Sequence, residues 1–113
     1  MRDMADMKNT INEYTDEQDN SPYAQWLGGL RDAKVRAKIL IRVDRMELGL
    51  FGDVEPIGDG LSELRIDYGP GYRVYYGKEG KTIYLLLCGG DKSTQAKDIK
   101  KAKEYWQDYK QRK

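Results

Sequence analysis

No histidine occurs among the 113 residues. That absence removes the usual general base, the commonest metal ligand and every Ser-His or Cys-His nucleophilic pair. No carboxylate cluster has a metal-ligand spacing, so no metal or other cofactor is expected. Any chemistry must rest on Lys, Arg, Tyr, Glu or Asp. Cysteine is nearly missing too. Cys88 alone excludes an internal disulfide and points to the reducing cytoplasm. With no histidine to activate it, this thiol reads as a small packed residue. No apolar run reaches membrane-spanning length, and the N-terminus has no signal-peptide pattern, so neither membrane nor secretion is expected. An excess of one charge is also lacking: 20 Lys and Arg face 19 Asp and Glu, for a net charge of +1. Bulk charge therefore does not announce nucleic acid, and an anion site would have to be local.

What is present gathers between Ser62 and Gln95. Gly69-Pro70-Gly71 breaks two β-rich runs. A hairpin closing there sets Tyr68 opposite Tyr72, Asp67 opposite Arg73, Ile66 opposite Val74, Arg65 opposite Tyr75 and Leu64 opposite Tyr76. Opposite partners share a face. One face then carries Leu64, Ile66, Val74 and Tyr76 and reads as core. The other carries Glu63, Arg65, Asp67, Arg73 and Tyr75. It is either a solvated surface with an Asp67–Arg73 ion pair or a cationic groove for an anion, with Tyr75 able to stack. A turn at Glu79-Gly80 leads into Thr82–Cys88, whose almost unbroken apolar run belongs inside a sheet.

Before this stretch, residues 1–7 are expected to form a disordered tail ahead of a single domain at 8–113. Lys8–Thr15 is a candidate edge strand. Ser21-Pro22 starts a short helix that Gly28-Gly29 stops. A second helix spans about Asp32 to Leu48, with Gly49 as its stop. Val35, Ile39, Val43 and Met46 face the core. Lys34, Lys38, Arg42 and Arg45 form a stripe beside them, either a solvated flank or a contact surface for RNA or an acidic partner. Gly49–Gly60 reads as a glycine-rich loop without a phosphate-binding motif. Gly89-Gly90 is expected to turn the chain tightly after the last strand. Asp91 reads as a turn or cap residue. Ser93 or Thr94 caps a final helix to about Gln111, with Ile99, Ala102, Trp106 and Tyr109 on one face. The order β-α-α-β-β-β-α predicts a small α+β domain, with an antiparallel sheet and helices, including a helical hairpin, on one face. Trp26 and Trp106 read as packing residues, and Phe51 as the anchor of its loop.

The phrases ELRIDYGPGYRVYY (63–76), LLLCGGDKSTQAKDI (85–99) and FGD (51–53) resemble the bacterial toxins of the RelE/ParE superfamily. The likeness is strongest to the HigB-like, phage Gp49-like addiction module killer proteins, over about Ile11 to Trp106. The resemblance implies the toxin of a type II toxin–antitoxin system. Many such relatives are ribosome-dependent endonucleases that cut mRNA by attack of a ribose 2′-hydroxyl on the adjacent phosphate. That chemistry needs a cationic clamp and a proton donor but no metal. Carried onto this chain, Arg73 is the candidate for transition-state stabilisation. Arg65 and Lys92 are candidates to bind phosphate or, with a shifted pKa, to act as acid. Glu63 is a candidate base, and Tyr75 a stacking platform. The relatives often carry a tyrosine or histidine near the C-terminus to help proton transfer; here Ala96-Lys97-Asp98-Ile99 supplies none. ParE-like members share the fold and inhibit DNA gyrase without cutting RNA, which is the alternative activity. Implied partners are a cognate antitoxin, expected to be a helix-turn-helix protein, and the ribosome with its mRNA. Operator DNA would be met only through the antitoxin complex. The stripe Lys34–Arg45 is expected to meet ribosomal RNA.

Overall fold

The apolar run that ends at Cys88 becomes β5 (Ile83–Asp91), flanked on both sides by other strands. The structure, a computed structural model, describes residues 8–112, so the expected N-terminal tail lies outside the described residues. Five strands lie in the order β1-β5-β4-β3-β2: β1 (Thr10–Glu13), β2 (Val54–Gly58), β3 (Leu61–Ile66), β4 (Tyr72–Glu79) and β5. After β1 the chain runs through α1 (Pro22–Gly29) and α2 (Ala33–Met46) to the far edge of the sheet. Three successive hairpins then walk back, each reversing direction, and deliver β5 parallel to β1. A 3₁₀ turn (Lys92–Thr94) leads into α3 (Gln95–Arg112). The α+β class and the helical hairpin on one face are as expected.

Local chemistry accounts for the helices. The Ser21 hydroxyl accepts the Ala24 N–H, with Pro22 just inside α1. Asp32 accepts the Lys34 N–H at the start of α2. Val35, Ile39, Val43 and Met46 are all buried, and Gly49 follows in the left-handed region at φ 78°. They pack with Leu64, Ile66, Val74 and Tyr76, the expected core face of the β3–β4 hairpin, while Phe51 rests on Tyr76 and Tyr84.

Four features depart from the sequence expectation. First, α3 covers the opposite face of the sheet, so the sheet is the middle of three layers. Its Ala102 and Trp106 pack on Leu61, Tyr75, Leu85 and Leu87. A bulge in β5 supplies part of this second apolar face: Tyr75 pairs with Cys88 and Tyr76 with Leu86, which leaves Leu87 as the extra residue. Second, the stretch read as a glycine-rich loop contains β2. Pro56 and Gly58 masked it, but an edge strand tolerates proline. Asp59-Gly60, both at positive φ, forms the two-residue turn into β3. Third, the β3–β4 register differs by two residues. Arg65 faces Arg73 and Ile66 faces Tyr72, around a five-residue loop from Asp67 to Gly71. A shift of two preserves the faces where a shift of one would invert them. That is why the core assignment held although the partners changed. Fourth, Gly89 and Gly90 do not turn the chain. They lie inside β5, where a Cβ at Gly89 would sit 2.2 Å from the Trp26 ring and one at Gly90 1.9 Å from Asp98 Oδ2.

Candidate functional site

Alternation along β3 and β4 places Glu63, Arg65 and Arg73 on the face away from α2. The register sets the two arginines directly opposite each other. Like charges across a strand pair repel unless each has its own counter-charge. Each has one. Arg65 donates from Nε and Nη2 to Asp53 Oδ1 at 3.1 and 2.9 Å. Arg73 donates from Nε to Glu63 Oε2 at 2.7 Å. The Asp67–Arg73 pair of the sequence reading does not form, because the two-residue register difference carries Asp67 into the loop, where it is exposed.

Glu63 is the one buried charged residue among those described, 3 % exposed. A buried carboxylate requires partners for both oxygens. Besides Arg73, Gln95 at the start of α3 donates from Nε2 to Oε1 and Oε2 at 3.0 and 3.1 Å. Glu63 therefore holds Arg73 in place. With both oxygens engaged beneath α3, it is not presented as a free base. Arg73 also donates from Nη1 to the Gly71 carbonyl at 3.1 Å, and its Nη2 has no hydrogen-bond partner among the described residues.

The arginine edges open on a cleft of about 250 Å³ lined by Asp53, Arg65, Asp67, Tyr72, Arg73 and Lys92. Lys92 enters from the 3₁₀ turn. It is exposed and has no ion pair among the described residues. Asp91 caps that turn by accepting the Ser93 N–H at 2.8 Å, the structural role expected of it. The Ser93 hydroxyl also donates to Asp91 and holds its carboxyl below the usual range. Hydrogen bonds from Arg65 do the same to Asp53. Arg65, Arg73 and Lys92 thus converge, with Arg65 paired to Asp53 and Arg73 to the underlying Glu63.

Two other groups fall elsewhere. Tyr75 is fully buried under α3. It has no open ring face for a base, which removes the stacking role read from the sequence, and burial pushes its phenol up. None of the stripe Lys34, Lys38, Arg42 and Arg45 lines the cleft. Arg42 is spent on the fold, donating to the carbonyls of Arg65, Phe51 and Asp53 at 2.5, 2.9 and 3.3 Å. Lys34, Lys38 and Arg45 are exposed. Cys88 is buried with its thiol pushed up to about 12 by desolvation, in keeping with a packing residue.

Asp53 and Gln95 were missed as site residues. Both lie inside the phrases that carry the family likeness, FGD and GGDKSTQ, but neither is near the arginines in sequence. The chain matches the family described as Phage derived protein Gp49-like (DUF891) over residues 25–107, a span that includes every residue lining the cleft. It is also similar to an uncharacterized protein of Haemophilus influenzae, 51 % identical over 81 residues, covering 72 % of this chain and 82 % of that protein.

Proposed function

From the premise that the chain belongs to the Gp49-like family, within the RelE/ParE-like toxin superfamily, we propose that it is the toxin of a type II toxin–antitoxin pair and cuts mRNA on the ribosome. The observation that supports this reading most is the convergence of Arg65, Arg73 and Lys92 on one cleft. In the reaction, the ribose 2′-oxygen attacks the adjacent phosphorus, its proton passes to a base, and the 5′-oxygen leaves with a proton from an acid. A 2′,3′-cyclic phosphate and a 5′-hydroxyl remain. The free edge of Arg73 donates to the non-bridging oxygens as charge builds on them. Lys92 protonates the leaving oxygen. Asp67, an exposed carboxylate on the cleft with no ion pair among the described residues, accepts the 2′ proton. Arg65 adds a second guanidinium to the phosphate, and Glu63 is a positioning residue for Arg73.

Near-neutrality supports ribosome dependence. Two of the three cations, Arg65 and Arg73, are ion-paired with carboxylates, which leaves Lys92 alone without an ion pair among the described residues, and the whole chain carries +1. Free RNA gains little from such a field, since backbone affinity comes from unmatched cations. The message has to be delivered already extended, as it is in a decoding site. The cognate antitoxin, a small helix-turn-helix protein, then controls the toxin and carries the pair to operator DNA.

Primer extension on a defined mRNA in a reconstituted translation system tests the reading. New 5′ ends at the A-site codon with wild type, absent with Arg73→Ala, are expected. Intact message in the presence of active, growth-arresting toxin would overturn the nuclease and move the search to a protein target such as DNA gyrase.

A further inference from the structure

A second surface lies on the other side of the β3–β4 loop. Along α2, Lys34, Lys38, Ile41 and Arg45 recur at spacings of four, three and four, which puts them on one helical stripe. Ile41 is 49 % exposed, and Tyr68, from the loop, 37 %. Both line a groove of about 410 Å³ together with Lys38, Arg45 and Asp67. The Lys38 ammonium lies 4.7 Å from the Tyr68 ring centroid, so helix and loop already form one wall.

We infer that this groove is the docking site for an acidic amphipathic helical segment of a protein partner. Aliphatic side chains of that segment rest on Ile41 and Tyr68, and its carboxylates meet Lys34, Lys38 and Arg45. Two observations favour a protein over RNA. A phosphate backbone would satisfy the cations but leave Ile41 and Tyr68 in water, whereas an amphipathic segment covers both. Of the two guanidiniums lining the groove, Arg42 is already committed to three backbone carbonyls, which leaves Arg45 as the single fork for phosphate. Asp67 is the single acidic residue lining the groove against three basic ones, so the charge complementarity is with an acidic occupant. Asp67 and Ile66 also line the catalytic cleft. An occupant of the groove would therefore touch a wall of that cleft without entering it. The inference does not depend on the nuclease reading.

The test is a titration of ¹⁵N-labelled full-length protein, followed by amide NMR. One probe is a helical peptide of about 12 residues, roughly 18 Å long, with glutamates on one face and leucines on the other. The others are its lysine counterpart and an oligouridylate. The acidic peptide is expected to shift the amides of Lys38, Ile41, Arg45 and Tyr68, and the lysine peptide to leave them unmoved. Ile41→Asp, and separately the pair Lys38→Glu with Arg45→Glu, should each weaken binding at least about tenfold. All three positions are exposed, so both variants keep the fold, which their own spectra report. Three results would each overturn the inference: shifts at these amides with the oligouridylate but not the acidic peptide, peptide binding indifferent to Ile41→Asp, or no shift with any probe.

Discussion

Arg73 depends on two residues, the buried Glu63 and the half-buried Gln95. Its Nε is committed to Glu63, and Glu63 is oriented by Gln95 across a gap of 32 positions in the chain. Removing the carboxylate leaves a guanidinium that is only 12 % exposed without its counter-charge. Breaking a buried pair of this kind costs about 3–5 kcal/mol. Glu63→Ala should lose that much in urea unfolding; a loss typical of surface pairs, under about 1 kcal/mol, would show that the pair is solvated. Arginine itself is also specified. Arg73→Lys retains charge but has no fork to serve Glu63 and a phosphate at once. It should fail to restore cleavage in the primer-extension assay, and near-wild-type cutting would reduce Arg73 to a point charge. The sequence showed which residue types gather on this face but not how they pair. Pairing depends on register and on a residue from α3, and neither leaves a local trace around Arg65 or Arg73.

At the scale of elements, legibility followed periodicity. Val35, Ile39, Val43 and Met46 repeat every three or four residues over a capped helix, and all four are buried. β2 offered no such repeat: Val54 and Ile57 are half-buried, and Pro56 and Gly58 intervene. Its signal was the Asp59-Gly60 turn, with φ of 59° and 83°. The left-handed region costs a residue with a Cβ about 1–2 kcal/mol, so Gly60→Ala should lower stability by that amount in denaturant titration. The placement of α3 was hidden for a different reason. Its apolar stripe was visible, yet nothing in a stripe says which face of a sheet it covers. From the sequence the second face reads as charged, because Glu63 and Tyr75, both buried in the fold, look like surface residues in a string of letters. The contact is close where β4 meets α3. A Cβ at Gly77 would stand 2.6 Å from the Trp106 ring. Gly77→Ala should therefore cost about 1–3 kcal/mol by overpacking; an unchanged midpoint would mean that Trp106 does not press on β4.

For the molecule as a whole, the charge pattern sets a pH window. Asp53, Asp91 and Asp108 are each held below the usual carboxylate range, by Arg65, by Ser93 and by the Tyr14 hydroxyl respectively. They secure different joints: Asp53 the cleft, Asp91 the turn into α3, and Asp108 the tie from α3 to Tyr14 just past β1, at 2.6 Å. A group whose folded pKa is depressed stabilises the fold above its unfolded value and loses that contribution as pH falls through the folded value. Stability should therefore begin to fall below about pH 4, the ordinary aspartate value. At the other end, Tyr14, Tyr23 and Tyr109 are pushed up to about 12, mainly by burial. A raised folded pKa has the opposite consequence. The neutral phenol is favoured in the fold, and its contribution is complete below about pH 10, the unfolded value, and lost as pH climbs through 12. Unfolding free energy measured in urea should accordingly show a plateau between about pH 4 and 10, with descending limbs on either side. Asp108→Asn addresses one joint directly. It removes the charge that Tyr14 and Arg112 share, so the acid limb should become shallower while the alkaline limb persists through Tyr23 and Tyr109. An acid limb identical to wild type would mean that the tie between α3 and the N-terminal edge of the sheet carries none of the low-pH response.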